Sequence, residues 1–194
     1  MKKQLVVIGG GNTFKSYKEY ISYLKKIKFD FERTKIKRWK ENLPKVLGMD
    51  FDVISLRMPN TANAKYNEWK ILFDKLLPFL KNNVILLGHS LGGIFLIKYL
   101  SENKFPKKIK ALFLVAAPYY TLNDFKLTKK LNKLDNQVKK IFLYHSKDDP
   151  MVPFVDSEKY KLALPNAKII IFKNRKHFDQ TKFSELIKDI KLIK

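Results

Sequence analysis

A serine that could act as a nucleophile stands in the segment GHSLG, residues 88–92, which matches glycine, any residue, serine, any residue, glycine. This pattern places the serine on a sharp strand-to-helix turn, which can close only if the residues two before and two after the serine are small. An apolar run precedes the segment, and residues 91–100 after it are almost all apolar. We therefore expect Ser90 at the start of a buried helix, whose free N–H groups and positive dipole would stabilise an oxyanion.

A serine nucleophile needs a base, and the sequence holds three histidines. His89 is next to Ser90 in the turn, where its ring cannot easily face the hydroxyl. His145 ends an apolar run and is expected to make contacts within its own turn. His177 lies in the short segment NRKHFD, between the last apolar run and a closing helix pattern, and is the candidate base.

An acid that would orient this base is offered by the segment SKDDPMVPF, residues 146–154. A carboxylate here would accept the imidazole N–H, fix its tautomer and stabilise the imidazolium formed during attack. Asp148 and Asp149 both follow the same apolar run. Residue type and spacing alone leave both open.

The elements that must position these side chains are indicated by short apolar runs rich in β-branched residues. Several are continuous where a half-exposed strand would alternate, which is typical of strands covered on both faces. The runs are residues 5–8, 53–56, 84–87, 109–115, 138–144 and 169–172. Helix patterns between them predict a three-layer α/β/α fold with a six-stranded, mostly parallel sheet. Ligands bind beyond the carboxyl ends of such strands, so the candidate side chains should share one edge.

Apolar residues at helical spacing predict helices near residues 17–27, 66–80 and 183–193. A short helix is expected before the second strand, with Asn42 as its cap, Pro44 in its first turn and Gly48 at its end. The lysine-rich stretch 25–40, which contains Trp39, is interpreted as a solvated helical surface; a basic face that carries an aromatic residue is the alternative. Without repeats or linkers, residues 1–194 are predicted to form one domain.

The composition excludes several classes of protein and site. The chain has 194 residues, 45% of them hydrophobic, which suits a folded protein. It has no cysteine, which excludes disulfide frameworks and cysteine-rich zinc sites; no metal or cofactor is expected. No apolar stretch approaches the roughly 18 residues of a membrane span, and the N-terminus lacks the layout of a signal peptide. A cytoplasmic location is therefore expected.

The net charge of +22 could indicate nucleic-acid binding, since clustered cations gain affinity for phosphate by releasing counterions. However, only four of the 40 basic residues are arginine. Arginine binds phosphate and base edges better than lysine, because its guanidinium can donate two parallel hydrogen bonds. The lysines are also scattered through almost every segment. Specific nucleic-acid binding is not expected.

The segment GGGNTFKS, residues 9–16, nearly matches a phosphate-binding P-loop. Phe14 stands where that pattern needs its second glycine, so the backbone cannot wrap closely around an anion. Nucleotide binding is therefore disfavoured. A glycine turn that only leads the chain out of its strand is the plain structural alternative.

The segments GHSLGG, SKDDPMVPF and KHFD resemble the nucleophile, acid and base segments of α/β-hydrolases. The likeness is greatest to the YdeN-like and retinoblastoma-binding-protein-nine-like serine hydrolases, and it spans the chain. The order serine, aspartate, histidine is also that of α/β-hydrolases. The resemblance implies a minimal fold without a cap domain. It selects Asp149, which precedes Pro-x-Val-Pro, as the acid, with Asp148 as a loop-capping neighbour.

The resemblance also implies an oxyanion hole. It places residues 9–12 where hydrolases keep the second donor, so that the backbone N–H groups of Leu91 and Gly11 would hold the oxyanion. Asn12 replaces Gly11 if the register shifts by one. The group often has glycine before its catalytic histidine, where this chain has Lys176, so the loop is expected to bend less freely.

Together these residues predict a carboxylesterase-like serine hydrolase that cleaves a small acyl ester or thioester through an acyl-enzyme on Ser90. A non-catalytic protein- or ligand-binding module on the same scaffold is the alternative. Residues 116–137 leave room for only a small lid. Side chains that follow strand ends either line an apolar pocket or belong to the core beneath it; these are Phe14, Met58, Tyr119, Tyr120 and Met151. The oligomeric state stays open.

Overall fold

The computed structural model describes residues 2–119, 123–127 and 131–193, and its centre is a six-stranded, all-parallel sheet. The strands are β1 (Lys3–Ile8), β2 (Phe51–Leu56), β3 (Val84–His89), β4 (Ile109–Val115), β5 (Ile141–Ser146) and β6 (Lys168–Phe172). Their order across the sheet is β2-β1-β3-β4-β5-β6. The predicted fold class is confirmed.

Helices cover both faces of the sheet. They are α1 (Tyr17–Lys26), α2 (Phe31–Lys35), α3 (Trp39–Leu47), α4 (Tyr66–Leu76), α5 (Leu91–Glu102), α6 (Asn132–Gln137), α7 (Val155–Ala163) and α8 (Ser184–Lys191). Helices α4 to α7 contribute to one hydrophobic core, and α3 and α8 contribute to the other. Over the described residues no further domain is inserted between the strands.

The side chains of β1 alternate between these two cores. Leu5 and Val7 lie in the core with α3 and α8, whereas Val6 and Ile8 lie in the core with α4 to α7. All four are buried. A strand covered on both faces gains from apolar residues at every position, which explains the continuous apolar runs in the sequence.

The strand order changes direction beside β1. The chain passes from β1 to β2 on one side and returns to β3 on the other, so the carboxyl ends of β1 and β3 form the switch point at which such sheets bind ligands. Ile8 and Gly88 are paired at that end. The glycine loop after β1 and the turn that carries Ser90 therefore meet.

The predicted start of the short helix was wrong. Helix α3 begins at Trp39, Arg38 precedes it, and Asn42 and Pro44 lie within the helix. Trp39 and Leu43 are one helical turn apart and both are buried, so packing sets the start. Trp39 is consequently a core residue and not part of a basic surface. The predicted end is confirmed, because Gly48 closes the helix with a φ of 74°.

The start of the fifth strand was also placed too early. Helix α6 occupies residues up to Gln137, and Val138 makes only an isolated bridge to Ile109 before β5 begins at Ile141. The apolar run 138–144 therefore spans a helix exit and a strand. Periodicity alone does not separate these two uses of a short apolar run.

Helix α1 lies on the surface and contains no buried side chain. Its start explains the P-loop-like sequence. The Ser16 hydroxyl accepts a hydrogen bond from the Glu19 N–H at 3.2 Å, and the Lys15 N–H donates to the Glu19 carboxylate at 2.8 Å. Lys15 and Ser16 thus belong to a helix cap.

Candidate active site

Ser90 occupies a strained turn between β3 and α5. Its φ of 54° and ψ of −124° are rare for a residue with a side chain, and such strain is typical of a nucleophile elbow. The turn is held on both sides: the Ser90 N–H donates to the Val115 carbonyl at 2.8 Å, and its own carbonyl accepts from the Gly93 N–H at 2.9 Å. Helix α5 behind it is buried along most of its length, as predicted.

The glycines around Ser90 are required by close backbone packing. A Cβ atom on Gly88 would lie 2.6 Å from the Gly92 carbonyl oxygen, and one on Gly92 would collide with the carbonyl oxygens of Ile8 and Gly9. The crossing of the β1 loop over the start of α5 therefore leaves no room for a side chain. This accounts for the small residues on each side of the serine.

His177 and Asp149 are hydrogen-bonded to each other. The His177 Nδ1 atom lies 3.1 Å from Oδ1 and 3.0 Å from Oδ2 of Asp149. The Asp149 side chain is fully buried, and its Oδ1 also accepts the backbone N–H groups of Met151 (2.8 Å) and Val152 (3.0 Å). The carboxylate is thus fixed by its own loop and can hold the imidazole in one orientation.

The neighbouring aspartate has a different position. Asp148 is exposed, and its Oδ1 accepts the Ser146 hydroxyl at 2.6 Å and the Lys176 N–H at 2.9 Å. These two hydrogen bonds, the one from Ser146 foremost, lower the pKa of the Asp148 carboxyl. Asp148 thus connects the loop after β5 to the loop that carries His177. Of the two aspartates, Asp149 is the one that contacts the imidazole.

The other two histidines are buried and hold the surrounding loops. The His145 Nε2 atom lies 3.2 Å from the Val152 carbonyl, so His145 makes the local turn contact that its position indicated, and burial lowers its pKa. His89 reaches across the site: its Nε2 lies 2.9 Å from the His177 carbonyl oxygen, and its Nδ1 lies 2.9 Å from the Lys40 Nζ.

The contacts of His89 determine its tautomer. A lysine ammonium only donates, so Nδ1 accepts from Lys40 and the hydrogen on Nε2 is donated to the His177 carbonyl. Burial, followed by the adjacent Lys40 cation, lowers the pKa of His89 well below its usual range. Burial also lowers the pKa of Lys40, with Arg38 adding to the effect. A neutral imidazole therefore braces the loop that carries His177.

This histidine loop is held at four consecutive residues. The hydrogen bonds are Arg175 N–H to Ser146 Oγ (2.8 Å), Lys176 N–H to Asp148 Oδ1 (2.9 Å), His89 Nε2 to His177 O (2.9 Å) and Trp39 Nε1–H to Phe178 O (2.7 Å). Lys176 and Phe178 have φ values of 47° and 54°, in the left-handed region that favours glycine. The chain therefore bends at Lys176 without a glycine, at a cost in backbone strain.

The glycine loop after β1 lies against the elbow. A Cβ atom on Gly10 would be 3.0 Å from the Ser90 Cβ, and one on Gly11 would be 2.6 Å from the Thr61 carbonyl oxygen. The Asn12 N–H donates to that same carbonyl at 2.8 Å. This N–H is already engaged, which disfavours Asn12 as the oxyanion donor.

Ser90 and His177 line one open cavity of about 510 Å³, together with Gly10, Gly11 and Met151. Between these two described side chains no hydrogen bond is formed, so the structure joins His177 to Asp149 but not to Ser90. Such hydrogen bonds are often long before substrate binds.

The side chains proposed as pocket or core residues divide between these roles. Met151 is exposed and borders the cavity, whereas Met58 is buried in the core with α4 to α7. Phe14 packs on Tyr23, a cavity residue, with ring centroids 5.0 Å apart. Tyr119 packs against Tyr160. Tyr120 lies outside the described residues.

Comparison with known proteins decides the family. The profile of the family described as serine hydrolase matches residues 31–186, which is more than half of the chain. The chain belongs to the serine hydrolase family.

This serine hydrolase is 28% identical over 155 residues to the serine hydrolase RBBP9 of Rattus norvegicus, covering 73% of this chain and 77% of that protein. It is 35% identical over 133 residues to a Mycoplasma genitalium protein with the provisional name esterase/lipase 2, covering 68% of this chain and 45% of that one. The structure of the ydeN gene product of B. subtilis aligns with a TM-score of 0.74 at 19% identity, covering 98% of this chain and 97% of that one.

Two features of the serine hydrolase site were missed by sequence reasoning. One is the bridge from Lys40 through His89 to the His177 backbone, which joins residues far apart in the chain and has no spacing signal. The other is the anchoring of the same loop by Trp39. Over the described residues, no group of three or more His, Asp or Glu side chains is arranged to hold a metal ion, and no helix is long and apolar enough to cross a bilayer.

Proposed function

We propose that this serine hydrolase is a carboxylesterase-like enzyme that cleaves a small acyl ester or thioester through an acyl-enzyme on Ser90. One observation carries the proposal: a strained serine at a helix N-terminus shares a cavity with a histidine that is hydrogen-bonded to a buried carboxylate. Each of the three side chains follows a different strand, and all three lie at the same edge of the sheet.

In the first half of the reaction, rotation of the Ser90 side chain brings its hydroxyl to the His177 Nε2. His177 takes the proton while the serine oxygen attacks the substrate carbonyl. Asp149, bonded to Nδ1, stabilises the imidazolium. Collapse of the tetrahedral intermediate breaks the bond to the alcohol or thiol, which receives the proton from His177.

In the second half, water hydrolyses the acyl-enzyme. His177 takes a proton from the water as its oxygen attacks the acyl carbon, and it returns that proton to Ser90 when the carboxylic acid leaves. The site regains its starting protonation state after each turnover, so no co-reactant besides water is needed.

The oxyanion of both intermediates would be held by the backbone N–H groups of Leu91 and Gly11. Leu91 is the first residue of α5, where N–H groups lack partners within the helix. Gly11 is favoured over Asn12, because Asn12 is bonded to the Thr61 carbonyl. A single donor of this kind contributes about 3 kcal/mol of transition-state stabilisation.

A small substrate is favoured by the size of the site. The cavity of about 510 Å³ lies in the lower half of the range for small-molecule sites. An ester bond is also in keeping with the name of the Mycoplasma genitalium relative.

The test is labelling with a fluorophosphonate, which reacts with activated serines. Labelling should occur in the wild type, disappear in Ser90→Ala and persist in Ser22→Ala, which changes an exposed serine on α1. Nitrophenyl esters of graded chain length should then show the highest kcat/KM for short acyl groups. Folded wild-type protein that neither labels nor hydrolyses any of these esters would overturn the proposal and favour the non-catalytic binding module.

A further inference from the structure

The cavity that holds Ser90 has a cationic wall formed by Arg38 and Lys40. Arg38 directly precedes α3, and Lys40 is the second residue of that helix. The Lys40 Nζ lies 2.9 Å from His89 Nδ1, and the same imidazole holds the His177 carbonyl through Nε2. Lys40 is therefore fixed beside the reacting groups, unlike the exposed lysines elsewhere on the surface.

The charge of Lys40 is not matched by a carboxylate in contact with it. Its partner His89 is neutral, and none of the ion pairs formed between described residues includes Lys40. An ammonium has three N–H donors, and the contact with His89 uses one of them. Burial disfavours the charged form of Lys40, so an anion that enters the cavity would regain electrostatic stabilisation that the ammonium has lost.

The other charged groups around the cavity leave this wall positive. Among the residues that line the cavity, Arg38 and Lys40 are basic and Asp179 is acidic, with its carboxylate 2.8 Å from the Arg38 guanidinium. Glu41 also interacts electrostatically with Lys40, but it is not among the residues that line the cavity. Asp149 is buried behind His177 and engaged with it. A cleft lined by one sign of charge concentrates ligands of the opposite sign.

We propose that Lys40 and Arg38 form a subsite for an anionic group, such as a carboxylate, on the substrate of this hydrolase. The inference rests on the proposed ester hydrolysis and makes it more specific: esters with an anion several bonds from the scissile carbonyl are preferred over neutral esters of the same size. The anion can belong to the acyl group or to the leaving group, since both must pass through the same cavity.

Two matched ester pairs separate these sources. In the first, the mono-4-nitrophenyl ester of adipic acid carries the anion on its acyl group, and its methyl ester is the neutral match. In the second, 4-acetoxybenzoate carries the anion on its leaving group, and methyl 4-acetoxybenzoate is the neutral match. The wild type should prefer the anionic member of at least one pair by about tenfold in kcat/KM, which corresponds to about 1.4 kcal/mol.

Variants of Lys40 test whether this preference depends on its charge. Lys40→Met should abolish the preference mainly through a higher KM, and Lys40→Arg should keep most of it. Lys45→Met makes the same change in net charge at an exposed position of α3 and should leave the preference intact. Lys40→Met also removes a support of His89, which slows both members of a pair, so the ratio between them is the relevant readout.

Two further measurements test the anionic subsite, and one of them does not depend on catalysis. Added salt should reduce the wild-type preference, because ions screen exposed charges. In Ser90→Ala protein, adipate should raise the melting temperature more than neutral adipamide, and the difference should vanish when Lys40→Met is added. This binding test stands even if no ester is cleaved, an outcome that would count against the proposed function alone. Equal rates within both pairs together with equal melting shifts would overturn the subsite, as would a preference that survives Lys40→Met.

Discussion

The His89 Nε2 donates a hydrogen bond to the carbonyl oxygen of His177, and the two atoms are 2.9 Å apart. A histidine at the end of β3 is thus joined by its side chain to the backbone of a histidine on the loop after β6. This contact engages the peptide group of His177, while its imidazole is hydrogen-bonded to Asp149.

Replacing His89 should therefore reduce activity although His89 performs no proton transfer. We expect His89→Leu to lower the free energy of unfolding by about 1–3 kcal/mol, because it leaves a buried carbonyl and the Lys40 ammonium without their partner. It should also lower kcat. His89→Gln, whose amide can still donate to the His177 carbonyl, should retain more of both. Urea unfolding and ester kinetics on the two variants measure this, and equal losses would show that the hydrogen bond is unimportant.

The two adjacent aspartates should differ sharply in their effect on catalysis. Asp149→Asn should lower kcat/KM by about 10³–10⁴-fold, because an amide in this place favours the wrong imidazole tautomer and cannot stabilise the imidazolium. Asp148→Asn keeps an oxygen that can accept from Ser146 and Lys176, so its loss should be no more than several-fold. A larger loss of kcat/KM in Asp148→Asn than in Asp149→Asn would show that Asp149 is not the acid.

Two glycines near the elbow make a matched pair for measuring backbone crowding. A Cβ on Gly92 collides with the backbone of Ile8 and Gly9, whereas a Cβ on Gly9 meets nothing within 4 Å. We expect Gly92→Ala to destabilise the fold by about 3 kcal/mol or more, in the range of strongly overpacked sites, and Gly9→Ala to be nearly neutral. Thermal unfolding of both variants checks this, and a stable Gly92→Ala protein would contradict the packing argument.

The strain at Lys176 should be removable. Its φ of 47° costs a residue with a side chain about 1 kcal/mol relative to glycine, part of which is offset because glycine gains entropy when the chain unfolds. Lys176→Gly should therefore raise the free energy of unfolding by about 0.5 kcal/mol while keeping the N–H that donates to Asp148. Lys173→Gly, at a nearby exposed position without positive φ, should destabilise. If both glycine variants were more stable than the wild type, or if neither were, the backbone at Lys176 would not be strained.

The stability of the protein should fall as the pH falls from 7 to 5. Burial lowers the pKa of His89 and of His145 in the folded state, so below about pH 6.5 the unfolded chain binds protons that the folded chain does not. The contribution of these two histidines to the free energy of unfolding is fully present above that pH. It is lost as the pH falls toward their lower pKa values in the folded state. Each site contributes a slope of up to about 1.4 kcal/mol per pH unit. Chemical unfolding at several pH values should show a smaller slope in His89→Gln than in the wild type.

The sequence predicted the central strands well because their apolar runs are buried on both faces, as in β1 and β3. It also predicted Ser90 at a strand-to-helix turn, since the turn depends on glycines that are neighbours in sequence. The start of α3 could not be predicted because Trp39 stands among lysines, and only contact with the His177 loop shows that it is buried. The choice between Asp148 and Asp149 needed the resemblance, since both are acidic and follow the same strand. Lys40 has no sequence signal at all, because its partner His89 is 49 residues away along the chain.

Helix α1 buries none of its side chains, so its detachment from the sheet would expose little new apolar surface to water. Its amide hydrogens should exchange with solvent through a local opening, at a free energy well below that of the strands. Tyr23 of this helix borders the cavity. That side of the entrance is therefore bordered by a helix that should open more readily than the strands, whereas the elbow and the loop that carries His177 are each held by several hydrogen bonds.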